Sequence, residues 1–363
     1  MVSSLPYSMR VWLDILTPKQ VMFFKPLVDS LIIDGHDVLC TSRDYREATE
    51  LARLKEFEIK VVGKHGGGGK YGKLRASASR VFELAELVQT YEPDLAITFS
   101  SPEGARVSFG LGIKHYCFSD SPHAIAVSKL TAPLTDILFC PWIIPYSAWN
   151  KFGVSRTNIV RYKALDPAAW LKRTPGQPRS KITDVLYEKG NKMNILVRLE
   201  ESKAAYLTES PAKKNGYLFL DSLVKSIHDL ANVVVICRYS DQITKVNERY
   251  QEKVSVVGNI IDGTSAIDSC DLFIGAGGTM TAEACLMGKP AISIAPISFY
   301  VEKYLLKSGL LLKASKPADL VKLATRALAD PHGRASQNQK AKFILEKMED
   351  PIQTVMRYIL AHQ

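Results

Sequence analysis

A glycine-rich turn between a strand-like and a helix-like run stands out in the C-terminal half of the sequence. Gly275, Gly277 and Gly278 form the turn, Thr279 or Thr281 opens the helix, and Glu283 lies about one turn into it. Glycines let backbone N–H groups approach an anion closely, and a helix N-terminus adds unpaired donors and a positive dipole end. The pattern predicts a diphosphate site, with Glu283 accepting hydrogen bonds from a ribose diol. A plain tight turn is the alternative.

Acidic and imidazole side chains directly follow two strand-like runs of the N-terminal half. Glu103 follows the run Leu95–Phe99 and lies near a helix start, where a carboxylate is favourable even without a function. Asp120 and His123 follow the next run three residues apart, a spacing at which a carboxylate can orient an imidazole. All three are candidates for general acid–base catalysis, and the alternative for each is a structural role.

Two N-terminal loops carry residues that could meet a phosphate or an acceptor. The first, Asp14–Gln20, joins a strand to a helix, although its Thr17 and Pro18 would equally serve as N-cap and first helical residue. The second has four consecutive glycines, which are costly to order and so indicate either close ligand approach or a flexible surface loop. Asp14 joins the catalytic candidates. The predicted phosphate or acceptor contacts are Thr17, Gln20, His65, Gly66, Gly67 and Ser101.

Arg198 ends the first strand-like run of the C-terminal half. A guanidinium can clamp a diphosphate with two hydrogen bonds, which makes Arg198 a predicted diphosphate ligand. The sequence has no Walker A motif, no H-E-x-x-H motif and no paired-aspartate metal clamp. We therefore expect neither a metal nor a cofactor, with a diphosphate neutralised by Arg198, backbone N–H groups and the helix dipole.

The charge of the chain indicates anionic small molecules or membranes as partners, and not nucleic acid. The 363 residues include 47 Lys and Arg against 37 Asp and Glu, a net charge of +10 that is spread along the chain. One window, 59–82, is basic with no acid, and it leads into a helix-like run where Lys73, Arg75 and Arg80 stand beside Leu74, Val81 and Phe82. This pattern suits contact with anionic lipid. A solvated helix face is the alternative.

Cysteine usage and hydropathy point to the cytoplasm. The six cysteines form no C-x-x-C pair, as expected for buried, reduced thiols. No apolar run reaches the roughly 18 residues that a membrane-spanning helix needs, and the N-terminus does not read as a signal peptide. We expect a cytoplasmic protein, with peripheral contact to the inner membrane face left open.

Strand-like and helix-like runs alternate along most of the chain, which predicts an α/β fold of doubly wound parallel sheets. The alternation pauses over 165–192, where turn-forming residues cluster. We therefore predict two Rossmann-like domains, 1–175 and 176–349, and expect ligands in the cleft between them, outside the carboxyl ends of the strands.

The segment 254–296 resembles the nucleotide-diphosphate-binding motif of GT-B fold proteins. These include the MurG-type N-acetylglucosaminyltransferases and the non-hydrolysing UDP-N-acetylglucosamine 2-epimerases. The resemblance implies that Gly258, Asn259 and Ile260 hold the base through backbone groups, and that residues 350–363 form a helix crossing back to the N-terminal domain. The closest resemblance is to an uncharacterised, largely archaeal family of the same clan. The shared motifs are the opening 14–26, His65-Gly-Gly, Ser101-Pro-Glu103, Asp120-x-Pro-His123 and Arg198.

This resemblance implies a metal-independent glycosyltransferase that binds a nucleotide-diphosphate sugar, most simply a UDP-sugar, on its C-terminal domain. His123 or Glu103 would deprotonate the hydroxyl of an acceptor, which remains unidentified and which lipid-linked molecules would fit. Two alternatives remain. One is a 2-epimerase-like isomerase in which Glu103, Asp120 or His123 acts at sugar C2. The other is a non-catalytic nucleotide-sugar-binding protein on the same scaffold.

Overall fold

The computed structural model describes residues 8–173, 192–199 and 215–362. The chain divides into two compact units. Unit 1 comprises Met1–Trp170 together with Glu349–Gln363, and unit 2 comprises Leu171–Met348. Most of the predicted turn-rich junction, 174–191, lies outside the described residues.

Unit 1 is built on a seven-stranded parallel sheet with the order β3-β2-β1-β4-β5-β6-β7. Its strands are apolar because helices cover both faces, and all five side chains of Leu95–Phe99, for example, are buried. The strands are β1 Arg10–Asp14, β2 Asp37–Asp44, β3 Lys60–Lys64, β4 Leu95–Phe99, β5 Lys114–Phe118, β6 Ile137–Pro141 and β7 Ile159–Tyr162.

The helices of unit 1 connect these parallel strands. They are α1 Pro18–Ile33, α2 Arg46–Leu54, α3 Lys70–Tyr91, α4 Pro102–Leu111, α5 Ile125–Thr131, α6 Ser147–Asn150 and α7 Ala168–Leu171, the last of which ends at the first residue of unit 2. Strand order reverses at β1, which pairs with both β2 and β4. In open α/β sheets, such a switch point is where a crevice forms at the carboxyl ends of the strands.

Unit 2 repeats the plan with a six-stranded parallel sheet in the order β10-β9-β8-β11-β12-β13. The switch point here is β8, whose Arg198 is in register with Gly275 of β11. The strands are β8 Met193–Arg198, β9 Ala231–Ile236, β10 Ser255–Val257, β11 Leu272–Gly275, β12 Ala291–Ser293 and β13 Leu312–Lys313.

The described helices of unit 2, and the last helix of the chain, complete the fold. They are α8 Asn215–Ile227, α9 Ser240–Tyr250, α10 Gly263–Asp268, α11 Thr279–Leu286, α12 Tyr300–Lys307, α13 Pro317–Ala329, α14 Pro331–Lys347 and α15 Pro351–Ala361. Helix α15 belongs to unit 1, where the ring of its Tyr358 packs edge-on against Tyr116 and Phe139.

Several sequence expectations need correction. The sequence pattern predicts no strand at β7 and no helix at α14, whose only buried side chain is Ala341, so that it has almost no apolar face to signal it. The sequence pattern predicts a helix over 216–231, but α8 ends at Ile227 because strand β9 begins at Ala231. The expectation of buried thiols is confirmed for all six cysteines. None of the helices in the described ranges is long and apolar enough to cross a membrane.

Candidate functional site

The predicted diphosphate turn has a backbone conformation that favours glycine at two consecutive positions. Gly277 and Gly278 have φ angles of +87° and +82°, and Gly278 serves as the N-cap of α11. No described side chain caps this helix. The N–H groups of the first turn of α11 are therefore left for water or a ligand at the carboxyl end of β11, a geometry that suits an anion.

The three glycines of this turn serve different purposes. A Cβ on Gly275 would lie 2.4 Å from the Thr281 Oγ1 atom, so glycine is needed there for packing within the turn. A Cβ on Gly278 would meet no atom within 4 Å, so its open side is where a ligand can approach. Thr281 donates a hydrogen bond to the Gly277 carbonyl at 3.0 Å and holds the turn in place. We call Gly277, Gly278 and Thr279 the cradle.

Arg198 lies on the strand beside the cradle. Its carbonyl accepts a hydrogen bond from the Ala276 N–H at 3.3 Å, and its Nη1 donates to the Ile236 carbonyl at 3.2 Å. The guanidinium is thus held at the carboxyl edge of the unit 2 sheet. Diphosphate binding by Arg198 stays a prediction.

Glu283 is buried, and one of its carboxylate oxygens is already used. The Thr264 hydroxyl donates to Glu283 Oε1 at 2.5 Å, which ties α11 to α10. A ribose contact would have to use the same oxygen or Oε2. The predicted base-binding residues follow β10, where a Cβ on Gly258 would collide with Ile243, Asn259 is exposed and Ile260 is half-buried.

A second carboxylate, absent from the sequence predictions, lies beside the cradle. Oε1 of the buried Glu302 accepts hydrogen bonds from Ser293 at 2.6 Å and from Lys313 at 2.7 Å. Its Oε2 lies 3.5 Å from the position of a Cβ on Gly277. Because Lys313 pairs with this carboxylate, the edge of the cradle is close to neutral. Sequence gives no signal for it, since Glu302 reads as an ordinary first-turn acid of α12.

In unit 1, Asp14 is locked into a buried ion pair. Arg80 donates to both of its oxygens, at 2.9 and 2.5 Å, while Ser101 and Thr41 donate at 2.5 and 2.7 Å. Burial alone would raise the pKa of Asp14, but Arg80 and these hydrogen bonds outweigh it and lower the pKa. Asp14 is fully buried, so this geometry favours a structural role over the predicted catalytic one.

Arg80 itself corrects an expectation. The sequence places it on a basic, lipid-facing helix surface, yet its side chain is only 1% exposed and points into the unit. The pKa of Arg80 is raised, because Asp14 outweighs the opposing effect of burial. Lipid contact through Arg80 is therefore wrong, since a guanidinium that closes a buried pair cannot also meet a membrane.

Glu103 and Ser101 share this cluster. Glu103 is 7% exposed, and its Oε2 lies 3.7 Å from Arg80 Nη1. Ser101 caps α4 by accepting the Gly104 N–H at 3.0 Å while it donates to Asp14. Ser101 therefore has a structural task, and a role for Glu103 as a base would depend on its other oxygen, Oε1.

The first strand–helix loop is held by internal bonds. Gln20 accepts the Leu16 N–H at 2.5 Å and donates to the Phe99 carbonyl at 2.9 Å. Thr17 occupies the N-cap position with Pro18 after it, as expected, but its side chain makes no capping hydrogen bond. The amide of Gln20 is thus committed to joining β1 to β4, which weakens its predicted role as a ligand.

The glycine loop folds onto the start of α3. A Cβ on Gly66 would lie 2.5 Å from the Gly72 carbonyl, and the Gly67 N–H donates to His65 Nδ1 at 3.2 Å. The His65 ring stacks on Tyr45 with centroids 5.2 Å apart. The sequence pattern predicts a helix over 74–90, whereas α3 begins earlier, at Lys70. Gly66 is thus explained by packing, and the role of this loop toward a ligand stays a prediction.

A second charged cluster surrounds Lys19. Its ammonium lies 2.6 Å from Asp120 Oδ2 and 2.5 Å from Asp166 Oδ2. Tyr162 donates to Asp166 Oδ1 at 2.5 Å, and Ser121 donates to Asp120 Oδ1 at 2.7 Å. Burial raises the pKa of Asp166 to about 6 against the pull of Lys19. For Asp120, Lys19 outweighs burial and lowers the pKa.

His123 lies within electrostatic reach of this cluster. Burial lowers the pKa of its imidazole; Asp120 opposes this, while Lys19 and Lys151 add to it. The ring is therefore neutral near pH 7 and able to accept a proton. Sequence analysis found Asp120 and His123 but missed Lys19 and Asp166. Lys19 reads as a first-turn helix lysine and Asp166 as part of an Asp-Pro turn.

Comparisons with known sequences matched a family model and an archaeal relative. A family model described as "Protein of unknown function (DUF354)" matches residues 9–361. An uncharacterized protein of Methanocaldococcus jannaschii is 28% identical over 323 residues, which cover 86% of this chain and 90% of that protein.

Solved structures resemble the whole chain. The S. aureus MnaA–UDP structure has a TM-score of 0.74 at 12% identity and covers 98% of this chain and 96% of its own. UDP-GlcNAc 2-epimerase from Neisseria meningitidis, bound to UDP-GlcNAc, has a TM-score of 0.72 at 12% identity, covering 98% and 100%. The glycosyltransferase SnogD from Streptomyces nogalater has a TM-score of 0.63 at 19% identity, covering 98% and 100%. The predicted GT-B fold with two Rossmann-like domains is thereby confirmed.

Proposed function

The chain belongs to the DUF354 family, and from this premise we propose that it is an enzyme that transfers a sugar from a nucleotide diphosphate, with unit 2 binding the nucleotide. The cradle carries the proposal, because two positive-φ glycines open an uncapped helix beside an arginine. Such donors stabilise a diphosphate both when it is bound and when it leaves. UDP is the nucleotide we expect, since UDP and UDP-GlcNAc occupy two of the similar structures.

Unit 1 would supply the acid–base groups. In the proposed step, neutral His123 takes the proton of an acceptor hydroxyl, and the acceptor oxygen forms a bond to the sugar C1. The bond from C1 to the diphosphate oxygen breaks, and the diphosphate leaves toward the cradle amides and Arg198. Asp120 would stabilise the imidazolium, and Glu103 remains the second candidate base. The step assigns no part to a metal or cofactor.

Epimerisation at C2 of UDP-N-acetylglucosamine is the second candidate, and one observation favours it. The UDP-GlcNAc 2-epimerase from Neisseria meningitidis has a TM-score of 0.72, whereas the glycosyltransferase SnogD has a TM-score of 0.63. At these identities the difference concerns the fold alone. The same donor site serves both reactions, with Asp120, His123 or Glu103 acting at the sugar C2 in the isomerase.

A lipid-linked acceptor, met at an anionic membrane surface, is part of the proposal. Tyr71, Leu74 and Phe82 of α3 are at least 66% exposed and recur at helical spacing. Lys70 and Arg75 are exposed near the start of the same stripe. Apolar side chains with flanking cations suit the interface of an anionic bilayer. We propose peripheral membrane contact through this α3 stripe, from the cytoplasmic side.

Two measurements separate these functions. Calorimetry with UDP tests the donor site, and incubation with UDP-N-acetylglucosamine tests the chemistry. Inversion at C2 without an acceptor identifies the isomerase, and UDP release only with an added lipid-linked or soluble acceptor identifies the transferase. Binding without turnover across many donors and acceptors identifies a non-catalytic nucleotide-sugar protein. No heat of binding with millimolar UDP or UDP-sugar would overturn all three.

A further inference from the structure

Lys19 is shared between two carboxylates of different accessibility. The Asp166 side chain is 3% exposed, whereas those of Lys19 and Asp120 are 15% and 22% exposed. Asp120 therefore lies on the open side of the cluster, and Asp166 lies behind Lys19 with the fully buried Tyr162. A ligand can reach Asp120 directly, but it can sense Asp166 only through Lys19.

The charges in this cluster do not balance. One ammonium faces two carboxylates, so the trio carries a net charge of −1 when Asp120 and Asp166 are both ionised. Removing such a charge from water is costly, which favours a proton on the more buried acid. The neutral Tyr162 donates to Asp166 and adds no charge. How strongly Lys19 neutralises Asp120 therefore depends on whether Asp166 is ionised.

We propose that Lys19 and Asp166 are positioning residues for the acid–base pair Asp120 and His123, with Asp166 acting on that pair through the Lys19 ammonium. An ionised Asp166 shares Lys19 and leaves the Asp120 charge free to stabilise an imidazolium at His123. A protonated Asp166 leaves Lys19 to Asp120 alone, so the imidazolium is stabilised less. The raised pKa of Asp166, about 6, puts this change between weakly acidic and neutral pH.

The other groups that face these residues are expected to keep the same charge over the relevant pH range. Lys151 lowers the pKa of His123 together with Lys19, and Asp120 raises it. Asp166 faces Lys19, Asp120 and the Tyr162 hydroxyl, and the Cys140 thiol senses its charge. Burial raises the pKa of Cys140 to about 12, so this thiol stays neutral across the relevant range. Asp166 is therefore the group in this cluster that we expect to change charge near pH 6.

This inference rests on the proposed function, because only that function gives the proton transfer to His123 a part in catalysis. The pKa of His123 can be measured whether or not the protein turns over a substrate. In that step the substrate O–H bond breaks, the proton binds His123, and Asp120 stays ionised beside the new imidazolium. Removing the negative charge at 166 should lower the proton affinity of His123, and removing the positive charge at 19 should raise it. Opposite shifts from two neighbouring substitutions are not expected of a merely structural role.

The test is an NMR titration of the histidine ring signals, which number seven in this chain. His123→Gln identifies the His123 signal. We expect Asp166→Asn to lower the His123 pKa and Lys19→Gln to raise it, the latter by about 0.5 unit or more. Asp34→Asn, an exposed change at the far end of α1, should leave it in place. An unchanged His123 pKa in both folded variants would overturn the inference.

A milder variant keeps the test decisive if those proteins do not fold. Tyr162→Phe removes only the hydrogen bond to Asp166 and so favours the protonated form of Asp166. It should therefore lower the His123 pKa.

The pH dependence of UDP-N-acetylglucosamine turnover in the same variants then separates the two proposals. Shifted His123 signals without turnover in the wild-type protein would overturn the function alone. Turnover with unshifted signals would overturn the positioning role alone.

Discussion

Arg80 closes a bidentate ion pair on Asp14 from 66 residues away in the sequence, with hydrogen bonds of 2.9 and 2.5 Å. The pair joins helix α3 to the carboxyl end of strand β1. The Arg80 Nε also donates to the Val62 carbonyl at 2.9 Å, so a single side chain fixes three elements. Asp14 lies at the end of the strand where the sheet order reverses. The pair therefore stabilises the edge that carries the other candidate residues of unit 1.

Replacing Arg80 with Gln should destabilise unit 1 strongly. The change leaves the fully buried Asp14 carboxylate without its cation, a loss of about 3–5 kcal/mol in the free energy of unfolding at pH 7. Urea unfolding measures it. Arg75→Gln removes an exposed guanidinium from the same helix and should stay within about 0.5 kcal/mol of wild type. Equal effects from the two substitutions would contradict the role assigned to the Arg80 pair.

Most of the fold can be predicted from the sequence, because in most strands and helices the local residue pattern agrees with the tertiary packing. Buried parallel strands such as β4 and β11 are recognised by their largely apolar runs. The turn before α11 needs positive φ angles at two consecutive residues, which the glycine pair indicates in the sequence. β7 was missed because Ile159–Tyr162 is short and carries Arg161, so no run marks it. The cradle is likewise local in sequence, since its three residues are consecutive.

The buried charge clusters of unit 1 could not be predicted in the same way. Arg80 stands in a basic, amphipathic window that looks like a surface, and its partner is distant in sequence. Lys19 and Asp166 come together only because β7 pairs with β6 and carries Asp166 to the same edge as α1. Hydrophobic periodicity predicts which face of a helix is buried, but it does not predict which residue pairs with a buried charge. The signal that could have helped is an odd charge on an otherwise apolar helix face.

Asp166 should make stability depend on pH in a way that Asp166→Asn abolishes. Its pKa is raised from 3.8 to about 6 on folding, so the native state holds its proton after the unfolded state has lost it. Stability from this group is complete below pH 4 and falls as pH rises to 6, by about 3 kcal/mol. The measurement is the difference in unfolding free energy between wild type and variant across that range. A difference that stays constant from pH 4 to 7 would contradict it.

Gly278→Ala should weaken UDP binding without a steric clash. At φ +82° and ψ −168°, Gly278 occupies a region essentially closed to other residues, so alanine costs about 1–3 kcal/mol or shifts the backbone. Either outcome re-aims the cradle amides, and we expect calorimetry to give at least a roughly tenfold weaker affinity. Gly153→Ala introduces similar strain at φ +85° in unit 1 and should leave UDP affinity unchanged. Equal affinity in both variants would remove the cradle from the site.

Glu283→Ala tests the ribose contact apart from the helix contact. Because hydrogen bonds to a carboxylate contribute about 1.5–3 kcal/mol, we expect UDP affinity to fall about 10- to 100-fold. Thr264→Val removes the partner hydroxyl but leaves the carboxylate, so it should lower stability while changing affinity far less. A UDP analogue with deoxyribose in place of ribose provides the matching change in the ligand. It should bind wild type more weakly than UDP does, and Glu283→Ala should no longer distinguish the two nucleotides. If Glu283→Ala still binds UDP more tightly than the deoxyribose nucleotide, the role of Glu283 is structural only.

The α3 stripe should bind anionic vesicles. Tyr71, Leu74 and Phe82 expose 76, 70 and 66% of their surface, and burying such side chains in the interface is favourable. We expect co-sedimentation with vesicles of phosphatidylglycerol but not of phosphatidylcholine, weakened by salt because Lys70 and Arg75 contribute charge attraction. Changing all three stripe residues to Ser should abolish it. Phe343→Ser, an exposed aromatic on α14, should not. Retained sedimentation of the triple variant would show that lipid binding uses another surface.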